Sequence, residues 1–165
     1  MSADAWVGLL ETHKQLTRAL DAELDARHGL GLSGVELLGR LAAADGQRLR
    51  LSALASESGL SLSRVSRIVD QLERRGLVER KQCDADARAV NACLTEAGAG
   101  LARDAQATHL AIVQERFFDR LEPGEIATLS AVFGRFAPDA AQTCTTEEQP
   151  AGATGAPRGS RRPSP

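Results

Sequence analysis

Between Ser61 and Lys81 the chain carries its sharpest alternation of apolar and polar positions. Wound at about 100° per residue, Leu62, Val65, Ile68, Val69 and Leu72 fall on one side. Ser63, Arg67, Gln71 and Arg74 fall opposite, flanked by Arg64 and Ser66. The spacing predicts an amphipathic helix with a core-seeking side and a side of short hydroxyls and guanidinium groups, concentrated in its first two turns. Ser61 suits the N-cap, where its hydroxyl takes up an amide the helix leaves unpaired. Gly76 suits a left-handed stop, with Leu77 placed to pack back on the helix.

The helical period recurs upstream. Trp6, Leu9, Leu10, His13, Leu16, Leu20 and Leu24 predict a first helix over about Ala3 to Arg27, broken by Gly29-Leu-Gly31. Ser33-Gly-Val-Glu36 reads as a capping box opening a second helix, about Gly34 to Ala44. Leu49 to Leu51 reads as a short strand. Ser52 reads as the cap of a short helix, Ala53 to Ser58, that turns through Gly59-Leu60 into the Ser61 helix. A short helix, a turn with a glycine and a helix with a polar leading face make the helix-turn-helix arrangement.

Downstream of Gly76 the period falls to two. Val78 to Lys81 and Ala89 to Leu94 predict the strands of a hairpin around the polar loop Gln82 to Arg88, with Arg88 at its far end. Thr95 caps a long helix, about Glu96 to Arg120. Its Leu101, Ala105, Leu110, Ile112, Val113, Phe117 and Phe118 spread too widely for one seam, so it needs partners on more than one side. Pro123 suits the first turn of a last helix, striped by Ile126, Leu129, Val132, Phe133 and Phe136. The expected class is mainly α with a small β-hairpin (α+β). From Pro138 onward large apolar residues vanish and five of the six prolines gather, which predicts a disordered tail over 138–165 with Arg158, Arg161 and Arg162 in it.

Composition narrows the function. The 165 residues suffice for one domain with a core, and the net charge of −2 means that any nucleic-acid role rests on a local patch. Such a patch exists: Ser61 to Lys81 holds Arg64, Arg67, Arg74, Arg75, Arg80 and Lys81 against Asp70, Glu73 and Glu79, a local +3. No apolar run is long enough to span a membrane, and the N-terminus lacks the pattern of a secretory signal. Cys83, Cys93 and Cys144 are too few and odd in number for a disulfide framework, so a reducing cytoplasm is the expected home.

Candidate chemistry follows from the polar side of the Ser61 helix. An arginine bonds two acceptors of a guanine at once, and a serine reaches a base edge or a phosphate, so a helix entering the major groove N-terminus first needs this layout. An ordinary surface helix has the same period. His13, His28, His109 and the cysteines have no paired spacing of the zinc-site kind, and no cofactor is expected. No phosphate-cradling glycine loop, nucleophile elbow or paired-carboxylate motif is present, so the chain is not expected to be an enzyme.

The order of elements resembles the MarR family of regulators. The residues carrying the resemblance are Leu72-Glu-Arg-Arg-Gly-Leu-Val-Glu-Arg80, then Asp86-Ala-Arg88, then Leu94-Thr-Glu-Ala-Gly98, in the family's order and at its separations. The resemblance covers about Ala3 to Ala137. It implies one winged helix-turn-helix domain over 1–137, with dimerisation helices at about 3–27 and 96–137 and a DNA-binding lobe at about 49–94. It further implies a homodimer on a pseudo-palindromic operator of double-stranded DNA, with a repressor's role released by a small, anionic aromatic effector. Ser61, at the cap of the reading helix, would contact DNA as well. Ser63, Arg64, Ser66 and Arg67 would read bases and phosphates, Arg80 and Lys81 would follow the backbone, and Arg88 would enter the minor groove, oriented by Asp86. The wing departs from the family in carrying Ala85 and Ala87 where proline and a second arginine are common.

Three further readings stay open. His13, on the first helix's inward stripe, is either a ligand-binding group or a core or interface histidine bonded to a carbonyl. Cys83, in the wing, is either inert or the switch of a redox-responsive regulator. A winged-helix adaptor that binds protein is the remaining alternative, and the serine-arginine leading face argues against it.

Overall fold

The computed structural model describes residues 3–83 and 86–136. They fall into two compact units that divide after Leu121. The first unit runs α1 (Ala3–His28), α2 (Leu32–Ala43), a 3-10 turn (Asp45–Gln47), β1 (Arg48–Arg50), α3 (Leu51–Ser58), α4 (Leu62–Arg74), β2 (Val78–Cys83), β3 (Asp86–Leu94), α5 (Glu96–Arg116) and a 3-10 turn (Phe118–Arg120). The second holds α6 (Pro123–Phe133), where Glu122 and Glu125 form a reciprocal capping box and Pro123 occupies the first turn. Among the described residues no helix is long and apolar enough to cross a membrane.

The mainly helical chain with one small antiparallel sheet matches the expected class. Strand order is β1-β3-β2, with Leu49 opposite Ala92 and Arg80 opposite Ala92 from the other side. Leucine, valine and alanine build the core, as a chain without tyrosine requires. Leu24 of α1, Leu37, Leu38 and Leu41 of α2, Leu54 of α3, Val65, Val69 and Leu72 of α4 and Ala105 of α5 are all fully buried. Burial of each such side chain contributes on the order of 1.5–3 kcal/mol, except the smaller alanine.

Several element ends differ from the sequence expectation. α2 begins at Leu32, two residues before Gly34, and no capping box forms at Ser33. The amide of Leu32 instead donates to the Asp21 carboxylate of α1 at 2.8 Å. Gly31 is needed for that approach, because a Cβ there would lie 2.6 Å from the same carboxylate oxygen. α3 begins at Leu51 with Arg50 at its N-cap and no side-chain cap, so Ser52 lies within the helix. The hairpin strands reach further than expected, to Cys83 and from Asp86, with a register shift after Gln82, so the backbone of Arg88 belongs to β3 and not to a loop. α5 stops at Arg116 because Phe117 leaves helical geometry (φ −124°, ψ −63°). The tail expected over 138–165 lies outside the described residues.

One junction is fixed by two residues of the Leu94–Gly98 motif. The Thr95 hydroxyl accepts from the Gly98 amide at 3.0 Å and donates to the Gly76 carbonyl at 2.8 Å, so it caps α5 and ties it to the end of α4. The Thr95 amide donates to the Leu77 carbonyl at 3.1 Å. A Cβ on Gly98 would stand 2.0 Å from that same Leu77 oxygen, so only glycine fits.

Candidate nucleic-acid interface

α4 is held rigidly at both ends by its own sequence. At its start the Ser61 hydroxyl accepts from the Arg64 amide at 3.3 Å and lies 3.2 Å from the Ser63 hydroxyl. At its end Gly76 is left-handed (φ +69°); its amide bonds Glu73 and the Leu77 amide bonds Leu72, at 2.9 and 3.0 Å. These two bonds form a Schellman stop, and the buried Leu77 packs back as expected.

Two further contacts fasten α4 to the rest of the lobe. Arg75 donates to the carbonyls of Gly29 and His28 at 2.7 and 2.9 Å, placing a cation on the negative end of α1. Arg80 reaches from β2 to the side of α4, where it pairs with Asp70 and with Glu73 and donates to the Ser66 carbonyl and hydroxyl at 3.0 and 3.2 Å. Strand alternation explains its direction. Val78 and Arg80 share the face toward α4, where Val78 is buried. Glu79 and Lys81 share the other face and pair at 3.1 Å.

The sequence had placed Arg80 along the DNA backbone. The structure turns its guanidinium inward, where it neutralises two carboxylates of α4. The signal was present in the period-two alternation that starts at the buried Val78. Ser66, expected as a reader, is half-buried and holds Arg80.

The remaining groups lie together on the leading turns of α4. Ser61, Ser63, Arg64 and Arg67 are exposed. Arg64 donates to the Ser33 hydroxyl of α2 at 3.3 Å and Arg67 to the Ser63 carbonyl at 3.4 Å, weak single contacts that leave most of each guanidinium's donors for a partner. Lys81 is exposed, and its hydrogen bond and attraction to Glu79 raise its pKa. Leu62, assigned by periodicity to the core side, is instead 53% exposed at the first position of the helix.

Of the other candidates, the side chains of Cys83, Asp86 and Arg88 lie outside the described residues. His13 is exposed on α1, so it is no part of this chain's own core. The histidine that sequence reasoning passed over is His28. Its Nε2 lies 2.8 Å from the Thr108 hydroxyl of α5, which itself donates to the Asp104 carbonyl at 3.2 Å. The position of His28 at the last turn of α1, beside the Gly29 break, was the only sequence signal for it.

Comparison with known proteins fits this arrangement. The MarR family model matches residues 36–90. The structure of AbsC, a MarR family transcriptional regulator from Streptomyces coelicolor, is 33% identical, with 84% of this chain and 93% of that chain covered and a TM-score of 0.73. Sco3205, a MarR family transcriptional regulator from the same organism solved in complex with DNA, is 30% identical over 87% of this chain and 89% of that one, with a TM-score of 0.74. CouR from Rhodococcus jostii RHA1, solved bound to p-coumaroyl-CoA, is 26% identical over 82% and 93%, with a TM-score of 0.67. Comparison with curated proteins gives no match.

Proposed function

Because this chain belongs to the MarR family of transcriptional regulators, we propose that it is a homodimeric DNA-binding repressor of its own or a neighbouring gene, released by a small ligand. The observation that carries this reading is the exposed ridge of Ser61, Ser63, Arg64 and Arg67 on a helix capped at both ends. A rigid helix presenting fork-shaped donors at its N-terminus suits direct readout in the major groove. Ser63, Arg64 and Arg67 contact bases and phosphates. Lys81 follows the backbone, and Arg88, supported by Asp86, reaches the adjacent minor groove. Arg80 and Ser66 act through α4 as positioning residues and do not touch DNA. The 3–27 and 96–137 segments dimerise, the 49–94 lobe binds DNA, and 138–165 follows as a tail.

Dimerisation is supported by the leading half of α1. Trp6, Val7, Leu9 and Leu10 stand exposed in the single chain, an apolar stripe that a second copy covers. Ligand release is supported by the relative solved with p-coumaroyl-CoA, which points to an aromatic, anionic effector. An effector acts by binding one spacing of the two reading helices better than another. A cytoplasmic location follows from the DNA partner.

The test is a hydroxyl-radical footprint of the full-length protein on the DNA upstream of its gene. Two protected half-sites about one helical turn apart, ~10 bp centre to centre, are expected. A single protected patch, or none at low salt, overturns the reading.

A further inference from the structure

The apolar residues of α4 divide sharply. Val65, Val69 and Leu72 are fully buried and Ile68 is half-buried, whereas Leu62 is 53% exposed. Leu62 sits at the first position of the helix, between the exposed Ser61 and Ser63. Leu62 belongs neither to the buried core nor to the partly buried apolar residues packed against it. An exposed isobutyl group at the N-terminal tip of the helix, between two exposed serines, is placed where a base edge would meet it if the helix enters the groove N-terminus first. The one apolar group that the major groove offers is the C5-methyl of thymine.

We propose that Leu62 is a specificity-determining residue that packs against the methyl group of one thymine in each half-site. This rests on the proposed entry of α4 into the major groove and adds a base preference that no arginine or serine of the ridge supplies. Hydrogen-bonding readers see donors and acceptors, which every base carries in the major groove, whereas a leucine sees the methyl that only thymine carries. The contact removes two apolar surfaces from water and needs no directed geometry. Losing one methyl from it should weaken binding about four-fold, the equivalent of about 0.8 kcal/mol per buried carbon.

The experiment uses duplexes selected by the full-length protein from a randomised pool. Each thymine is then replaced singly by uracil, which deletes the methyl and leaves base pairing unchanged. With the wild-type protein, one thymine per half-site should show a loss of about four-fold. Leu62→Ala should bind the parent duplex more weakly and should no longer distinguish thymine from uracil at that position. Leu62→Met, which keeps an apolar tip, should retain the distinction. The proposal is overturned if Leu62→Ala keeps the full uracil penalty, if no thymine is sensitive in the wild type, or if the variant loses affinity equally for every sequence. Failure of the wild-type protein to select any duplex overturns instead the DNA-reading role on which the proposal rests. Unfolding midpoints of the three proteins should agree, since Leu62 supports no core.

Discussion

α4 and α1 are both amphipathic helices, and they meet different fates within one chain. The apolar side of α4 closes over completely, with Val65, Val69 and Leu72 excluded from solvent by α2, α3 and the sheet. On α1 only the last two turns behave this way, through Leu20 and Leu24. Its first turns leave Trp6 at 62% and Leu10 at 47% exposure, and α5 leaves Leu110 at 58%. A hydrophobic period therefore says that a face wants covering but not what covers it. In α4 the cover is intramolecular and local; for α1 the proposed cover is a second copy.

The sharpest break of this comparison is a pair of truncations followed by denaturant unfolding at several protein concentrations. Leu72→Ala should lower stability by about 3 kcal/mol at every concentration, since it opens a cavity in the lobe's own core. Trp6→Ala should lower the midpoint increasingly as the protein is diluted, because it acts through association. Equal, concentration-independent losses for both would end the distinction between the two helices.

Gly98→Ala should cost about as much, roughly 3 kcal/mol, because the added methyl meets the Leu77 carbonyl at 2.0 Å and the α5 start must shift. Thermal melting checks it. A neutral outcome would mean that the junction between α4 and α5 yields more readily than its hydrogen bonds imply.

The smallest expected effect sharpens the assignment inside the lobe proposed to bind DNA. Arg80→Met keeps the stem but leaves Asp70 and Glu73 without their cation beside the side of α4 proposed to face DNA. DNA affinity should fall by about 1 kcal/mol, more at low salt, where the exposed carboxylates repel phosphate. Adding Asp70→Asn and Glu73→Gln should restore most of it. If restoration fails, Arg80 matters through its bonds to Ser66 or by touching DNA directly.

Much of this architecture was legible because its signals are local. The Ser61 cap, the Gly76 stop and the Thr95 cap each depend on residues within three or four positions, and all three appear where the sequence placed them. The start of α2 was illegible because its cap, Asp21, comes from another helix and replaced the local Ser33 box. The role of Arg80 was half legible: its charge suggested phosphate, while the alternation from Val78 pointed it at α4. Leu62 was misread because periodicity assigns an angle around a helix and not a depth below its first turn. His28 was missed because its partner, Thr108, lies 80 residues away in the sequence.

The most direct test of the central claim is a titration of the full-length protein onto a labelled duplex that it has selected from a randomised pool, repeated across salt concentrations. Two chains should bind per duplex, and the logarithm of the affinity should fall linearly and steeply with the logarithm of salt, as counterions leave the neutralised phosphates. Binding of a single chain, a salt-independent affinity, or no binding at low ionic strength would contradict it.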